Sequence, residues 1–148
     1  MRIDELKASI GREAGVGEWF FVGPDLIAAF GALTLDEQWI HIDPERARRE
    51  SPFGTTVAHG FLTVALLSHL VRQAVDLEID AKMRINYGFN KLRFPAPVPA
   101  ESRIRALVTP NAVRDIEGGV EIAWGVVVEV ENQAKPALAA EWLVRAYF

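Results

Sequence analysis

The sequence predicts an α+β domain in which an antiparallel sheet wraps round a central helix. Three observations predict it. The chain has 148 residues, 50% of them hydrophobic and 24% charged. That is enough apolar material for one core, and a length suited to one domain spanning residues 1–148. The segment from Ala58 to Gln73 is apolar nearly all round, through Phe61, Leu62, Val64, Leu66, Leu67, Leu70 and Val71, which marks a helix for the middle of the molecule. Everything after it alternates with the period of two that makes strands.

The elements follow in order. Ile3 to Arg12 reads as a short amphipathic helix with Ile3, Leu6 and Ile10 on one face, and Gly15 and Gly17 break it. Trp19 to Val22 reads as a strand. Asp25 to Leu33 is helical, with Leu26, Ile27 and Phe30 at helical spacing, and the stretch Asp36–His41 follows as a loop. Asp43 can cap free N–H groups and Pro44 suits a first helical position, so a short helix runs from Glu45 to Glu50. Ser51-Pro52-Phe53-Gly54 stops it, and the central helix comes next.

Four strands complete the chain. In the first, Met83, Ile85, Tyr87 and Phe89 form the apolar face and Arg84, Asn86, Gly88 and Asn90 the other. The parity then flips to Leu92 and Phe94, which predicts a bulge near Asn90–Lys91. The prolines of Pro95-Ala96-Pro97-Val98-Pro99 end that strand. Ile104, Ala106 and Val108 form the second apolar face. After a turn at 115–119, Ile122, Trp124, Val126, Val128 and Val130 form the third. Ala140, Trp142, Val144, Ala146 and Phe148 form the fourth. Helices followed by strands in this proportion make the hotdog fold, a curved sheet round one helix.

Composition narrows the function. Sixteen Lys plus Arg stand against 20 Asp plus Glu, a net charge of −4, which speaks against nucleic acid as a partner. No cysteine is present, so disulfide and thiolate chemistry are excluded and a cytoplasmic setting fits. The longest stretch free of charge, Ser51 to Val71, is properly apolar only from Phe61, too short for the roughly 20 residues of a membrane span. The mixed, charged start Met1-Arg2-Ile3-Asp4-Glu5 is not a signal peptide.

The chemistry-bearing feature is Asp36-Glu37-Gln38-Trp39-Ile40-His41, an acid and an imidazole five residues apart, followed by Ala58-His59-Gly60 at the head of the central helix. A carboxylate and a histidine suffice for general acid–base work near neutral pH. Taken singly, Asp36 reads as a turn residue and His41 as a hydrogen-bonded core histidine. Together with the motif that follows, they read as a site. A metal site from His41, Asp43 and His59 matches no strong ligand spacing, so no metal is expected.

The chain resembles the MaoC-like hydratases and dehydratases, which include the (R)-specific enoyl-CoA hydratases. The resemblance is carried by Asp36-x-x-x-x-His41 and Ala58-His59-Gly60. The NodN-type branch is closer still, through Asp36 to Ala47, Ser51-Pro52-Phe53-Gly54, Phe61-Leu62-Thr63 and Asn86 to Val98. One departure stands out. Gln38-Trp39 occupies the place where the enoyl-CoA hydratase pattern has Asn-Pro, which bears on loop shape and substrate preference.

The resemblance implies reversible addition of water to a 2,3-enoyl thioester of coenzyme A or an acyl carrier protein. It implies a homodimer and no cofactor. Asp36 and His41 would hold one water and move both protons. Gly60, with unpaired N–H groups at a helix start, would allow close approach of the thioester oxygen in an oxyanion hole. Ser68 would either orient Asp36 or bond its own helix backbone. Gln38, His59, Asn86 and Asn90 are candidate substrate contacts. His59 also reads as a capping or packing residue at the helix start. Asn86 and Asn90 either line an acyl pocket or pair with neighbours. Arg46, Arg48 and Arg49 could meet phosphates, though a solvated helix face is the commoner use of such a run. Two other functions compete. A hotdog thioesterase would use an acid on the central helix, and Ala58 to Gln73 has none. A non-catalytic acyl-thioester binding subunit would have no need of the acid–His pair.

Overall fold

The computed structural model describes residues 1–148. Its elements in chain order are α1 (Ile3–Ala8), β1 (Gly15–Val16), β2 (Phe20–Val22), α2 (Pro24–Thr34), α3 (Trp39–Ile42), α4 (Pro44–Glu50), α5 (Gly60–Ala65), α6 (Leu67–Ala74), β3 (Met83–Arg93), β4 (Ser102–Ile116), β5 (Gly119–Val130) and β6 (Leu138–Tyr147). The strands form one antiparallel sheet in the order β1-β4-β5-β6-β3, and β2 also pairs with β4. The four long strands stand where the alternation put them. The two-residue strand β1 was not legible, because Gly15 and Gly17 read as breakers rather than as partners for Val108 and Leu107.

One cluster of 23 buried residues fills the space between helices and sheet. Ile104, Ala106 and Val108 of β4 and Ile122, Trp124, Val126, Val128 and Val130 of β5 all lie in it, as period-two patterning requires. Asp43 caps α4 through its Oδ1, which accepts the Arg46 N–H at 3.0 Å, and Pro44 stands at the first helical position.

The stretch Asp36–His41, read as a loop, ends in the short helix α3, which holds His41, and the structure revises two larger expectations. The central helix is built as α5 and α6, joined at Leu66, and is covered on one side only. Leu62, Leu67, Leu70 and Val71 are buried, whereas Phe61 is 70% exposed and Arg72 and Gln73 are solvent-accessible. A single sheet can cover only one face of a helix, so the all-round apolar pattern leaves an uncovered apolar face.

The second revision concerns β3. Arg84 lies opposite Ala146 and Asn86 opposite Val144, while Met83 and Ile85 lie opposite Tyr147 and Arg145. Ala146 is buried, and Val144 packs against the core. The inward face of the first half of β3 is therefore the polar one, and Met83, Ile85 and Tyr87 are exposed. Tyr87 lies under the Arg145 guanidinium, 3.4 Å from its ring centroid. Register shifts occur between Asn86 and Gly88 and between Phe89 and Lys91. The second is the expected bulge. The first turns the strand over, so that Phe89 and Leu92 pack inward.

Candidate active site

Asp36 is fixed by its main chain. Leu35 ends α2 in the left-handed conformation, φ 59°. The Asp36 N–H then reaches back to the Gly31 carbonyl at 2.9 Å, the long bond of a Schellman turn. The Asp36 carbonyl accepts a hydrogen bond from His59 Nε2 at 2.8 Å. With both backbone groups held, the exposed carboxylate projects from a defined point. Gly31 is buried beside this turn. A Cβ there would stand 2.9 Å from the Asp36 carbonyl oxygen and 3.4 Å from the His59 ring, so only glycine lets helix, turn and imidazole close together.

His41 projects from α3. Its Nδ1 lies 2.6 Å from the Val57 carbonyl oxygen. A carbonyl can only accept, so Nδ1 carries the proton and Nε2 keeps a free lone pair. The same reasoning gives His59 the opposite tautomer, with its proton on Nε2. The two rings stack with centroids 3.7 Å apart and planes 23° apart, and Phe30 meets His59 edge-on at 5.1 Å. His59 is 3% exposed and its Nδ1 has no hydrogen-bond partner. A carboxylate oxygen of Asp36 and one ring nitrogen from each histidine lie within 4.8 Å of one another. Two hydrogen bonds of ordinary length, about 2.8 Å each, let one water bridge such a gap. These three side chains could be read as metal ligands, but the lone pairs of stacked imidazoles lie in two near-parallel planes 3.7 Å apart at the ring centroids, a poor geometry for converging on one ion.

The other candidate residues are spread more widely. Gly60 opens α5, and the N–H groups of Gly60 and Phe61 make no hydrogen bond within the chain. Gly60 borders a cleft of about 350 Å³ that includes Ala58, Thr63 and Phe94. A Cβ on Gly60 would meet the Phe94 ring at 3.1 Å. Gln38 is exposed, two residues past Asp36, at the start of α3. His59 stands at the N-cap position of α5 without capping it; its ring is enclosed behind His41 rather than presented to a ligand. Ser68 makes no hydrogen bond to Asp36. It lines a cavity of about 290 Å³ between α6 and the sheet, together with Asn86.

Asn90 is turned away from that cavity. Its Nδ2 donates to Glu141 at 2.6 Å, and Asn111 donates to the same carboxylate at 2.7 Å. These bonds, Asn90 first and Asn111 second, hold the Glu141 carboxyl below its ordinary range. Arg46 lies over the Trp39 ring and pairs with Glu50 at 3.0 Å. Sequence reasoning missed the stacking of His59 on His41 and the inward turn of Arg84. The Ala58-His59-Gly60 motif was the available signal for the first.

An antiparallel sheet folded over a helix defines the class as a hotdog protein, here with an acid and two imidazoles gathered near the start of α5. Comparison with known proteins agrees. The MaoC-like domain model matches residues 5–132. A 3-hydroxyacyl-thioester dehydratase Z of Mycobacterium tuberculosis is 46% identical over 97% of this chain and 94% of that one. A Nodulation protein N of Rhizobium meliloti is 39% identical over 99% of this chain and 91% of that one. Among solved structures, the (R)-hydratase of A. caviae involved in PHA biosynthesis aligns with a TM-score of 0.64 at 26% identity, covering 87% of this chain and 94% of that one. A MaoC-like dehydratase from Rhodospirillum rubrum shares the fold, with a TM-score of 0.75 at 21% identity and coverage of 93% and 92%. The chain belongs to the MaoC-like dehydratase family.

Proposed function

We propose that this protein is an (R)-specific enoyl-thioester hydratase, or 3-hydroxyacyl-thioester dehydratase in the reverse direction, with Asp36 and His41 as its acid–base pair. One observation carries the assignment of the pair. The proton on His41 Nδ1 is committed to the Val57 carbonyl, which leaves Nε2 free to accept, and a ring nitrogen of His41 lies within 4.8 Å of an Asp36 carboxylate oxygen, a gap that one water bridges.

The chemistry balances on this pair. Water adds its oxygen to the β-carbon and gives up one proton to the pair. The pair gives one proton to the α-carbon. One proton taken and one given return the pair to the protonation state in which it began. As the β-carbon bond forms, negative charge develops on the thioester oxygen. The unpaired N–H groups at Gly60, at the positive end of the helix, are suited to receive it. His59 acts behind the pair, holding the Asp36 main chain and backing the His41 ring. The addition is redox-neutral and these protein groups supply every proton transfer in it, so the scheme calls for no cofactor beyond the thioester carrier of the substrate.

The same reading makes the protein a homodimer acting on a coenzyme A or acyl-carrier thioester. Strand β3 is an edge of the sheet, and it carries Met83, Ile85 and Tyr87 exposed. Native proteins rarely leave a long apolar edge uncovered, and a second copy is the occupant the reading requires. The test is direct. Crotonyl-CoA loses its enoyl absorbance when enzyme is added, and chiral analysis of the product gives the (R)-3-hydroxy isomer. Release of free thiol without loss of enoyl absorbance would instead make the protein a thioesterase.

A further inference from the structure

The inward face of β3 breaks the rule that governs the rest of the sheet. Across β4, β5 and β6 the residues facing the helices are apolar, but β3 presents Arg84 and Asn86. Opposite them α6 presents Ser68 and Arg72. These four side chains line the 290 Å³ cavity, whose remaining lining is Val71, Val75, Leu77, Ile122, both Trp124 and Trp142, Val144 and Ala146. Its chemistry is one-sided. All four polar groups can donate hydrogen bonds, two of them are guanidiniums, and no carboxylate lines the cavity. Neither Arg72 nor Arg84 forms an ion pair in the chain. Arg84 uses one nitrogen, at 3.4 and 3.2 Å, to touch the Leu77 and Ile79 carbonyls. Its planar fork has further donors free for a carboxylate. The acids of the connecting segment, Asp76, Glu78 and Asp80, lie outside the lining.

The position of this cavity relative to the site is set by the helices. Ser68 follows Gly60 by eight residues, which at the rise of an α-helix is about 12 Å along the axis. A thioester oxygen at Gly60 and an acyl chain laid along α5 and α6 therefore bring the far end of a medium-length chain to Ser68, Arg72 and Arg84. We infer that this cavity selects acyl thioesters whose distal end carries a carboxylate: the apolar walls take the methylene chain and the two guanidiniums take the charge. This rests on the hydratase reading for the placement of the thioester, and adds to it the class of acyl group.

Two matched pairs of thioesters test it. Saturated decanoyl-CoA and its ω-carboxyl analogue read binding alone, by calorimetry. Their trans-2-unsaturated counterparts read turnover. The parent protein binds the carboxyl analogue about tenfold more tightly and hydrates the unsaturated diacid with the higher kcat/KM. Both arginines are partly solvated, so each contributes modestly. Arg72→Met and Arg84→Met should each lower the diacid-to-monoacid ratio about three- to fivefold. Arg84 also braces the segment before β3, so Arg72→Met serves if the other variant misfolds. Equal or weaker binding of the carboxyl analogue by the parent overturns the inference, as does a ratio that neither substitution moves. A preference for the saturated diacid without hydration of any enoyl thioester would leave this inference standing and remove the hydratase reading. Hydration without tail preference would do the reverse.

Discussion

At the scale of single residues, the site is two imidazoles with opposite proton assignments and a carboxylate held by its own backbone. Asp36 and His41 were legible in the sequence because the acid–His spacing and the Ala58-His59-Gly60 motif mark them together. The work of His59 was not legible. It depends on a 3.7 Å ring stack and on a hydrogen bond to a main-chain carbonyl 23 residues away, and no spacing rule encodes either. His59→Phe keeps a flat ring behind His41 but removes the donor to Asp36. Loosened positioning of a catalytic group typically costs one to two orders of magnitude, so we expect kcat to fall about tenfold with KM within about twofold. His59→Gln restores a donor near Nε2 and should recover part of the loss. The native enzyme gives a check that needs no variant. With 15N-labelled histidine, His41 should show the Nδ1–H tautomer and His59 the Nε2–H tautomer; the same tautomer at both positions would contradict the arrangement.

At the scale of elements, β3 shows what alternation can and cannot specify. A period of two sorts residues onto two faces, but the register with β6 decides which face is inside. Here the bulge after Asn86 reverses that choice midway along the strand. This is why Asn86 lines the inner cavity while Asn90, four residues on, bonds outward to Glu141. That outer network joins β3, β4 and β6 through Asn90, Asn111 and Glu141. It favours the charged form of Glu141 in the folded state. A carboxyl with a depressed folded pKa stabilises the fold above its unfolded value, about 4.3 for glutamate, and that stability is lost as pH falls through the folded value. Asn111→Ala should therefore lower Tm near neutral pH and converge on the parent as the solution is acidified below the carboxylate range. A Tm difference that stays constant from neutral to acid pH would mean that Asn111 acts through packing over Gly125 instead.

At the scale of the whole molecule, the apolar surface left over is as informative as the core. Phe61 on the uncovered side of the helix and Met83, Ile85 and Tyr87 on the edge strand β3 are all exposed, which one chain alone does not explain. Light scattering should give a particle of twice the chain mass of 16.4 kDa. A monomer at micromolar concentration would leave that surface without the proposed partner. The fold was legible at this scale because the helix-then-strand order and three clean apolar faces admit few architectures. The one-sided cover of the helix was not, since the sequence shows that a face is apolar but not what lies against it. The central claim, that Asp36 and His41 handle the protons of water addition, is tested most directly by hydration of crotonyl-CoA by Asp36→Asn and His41→Ala, each checked for a parent-like Tm. Loss of either member of a general acid–base pair should lower kcat by about a hundredfold or more; folded variants that hydrate at the parent rate would contradict the claim.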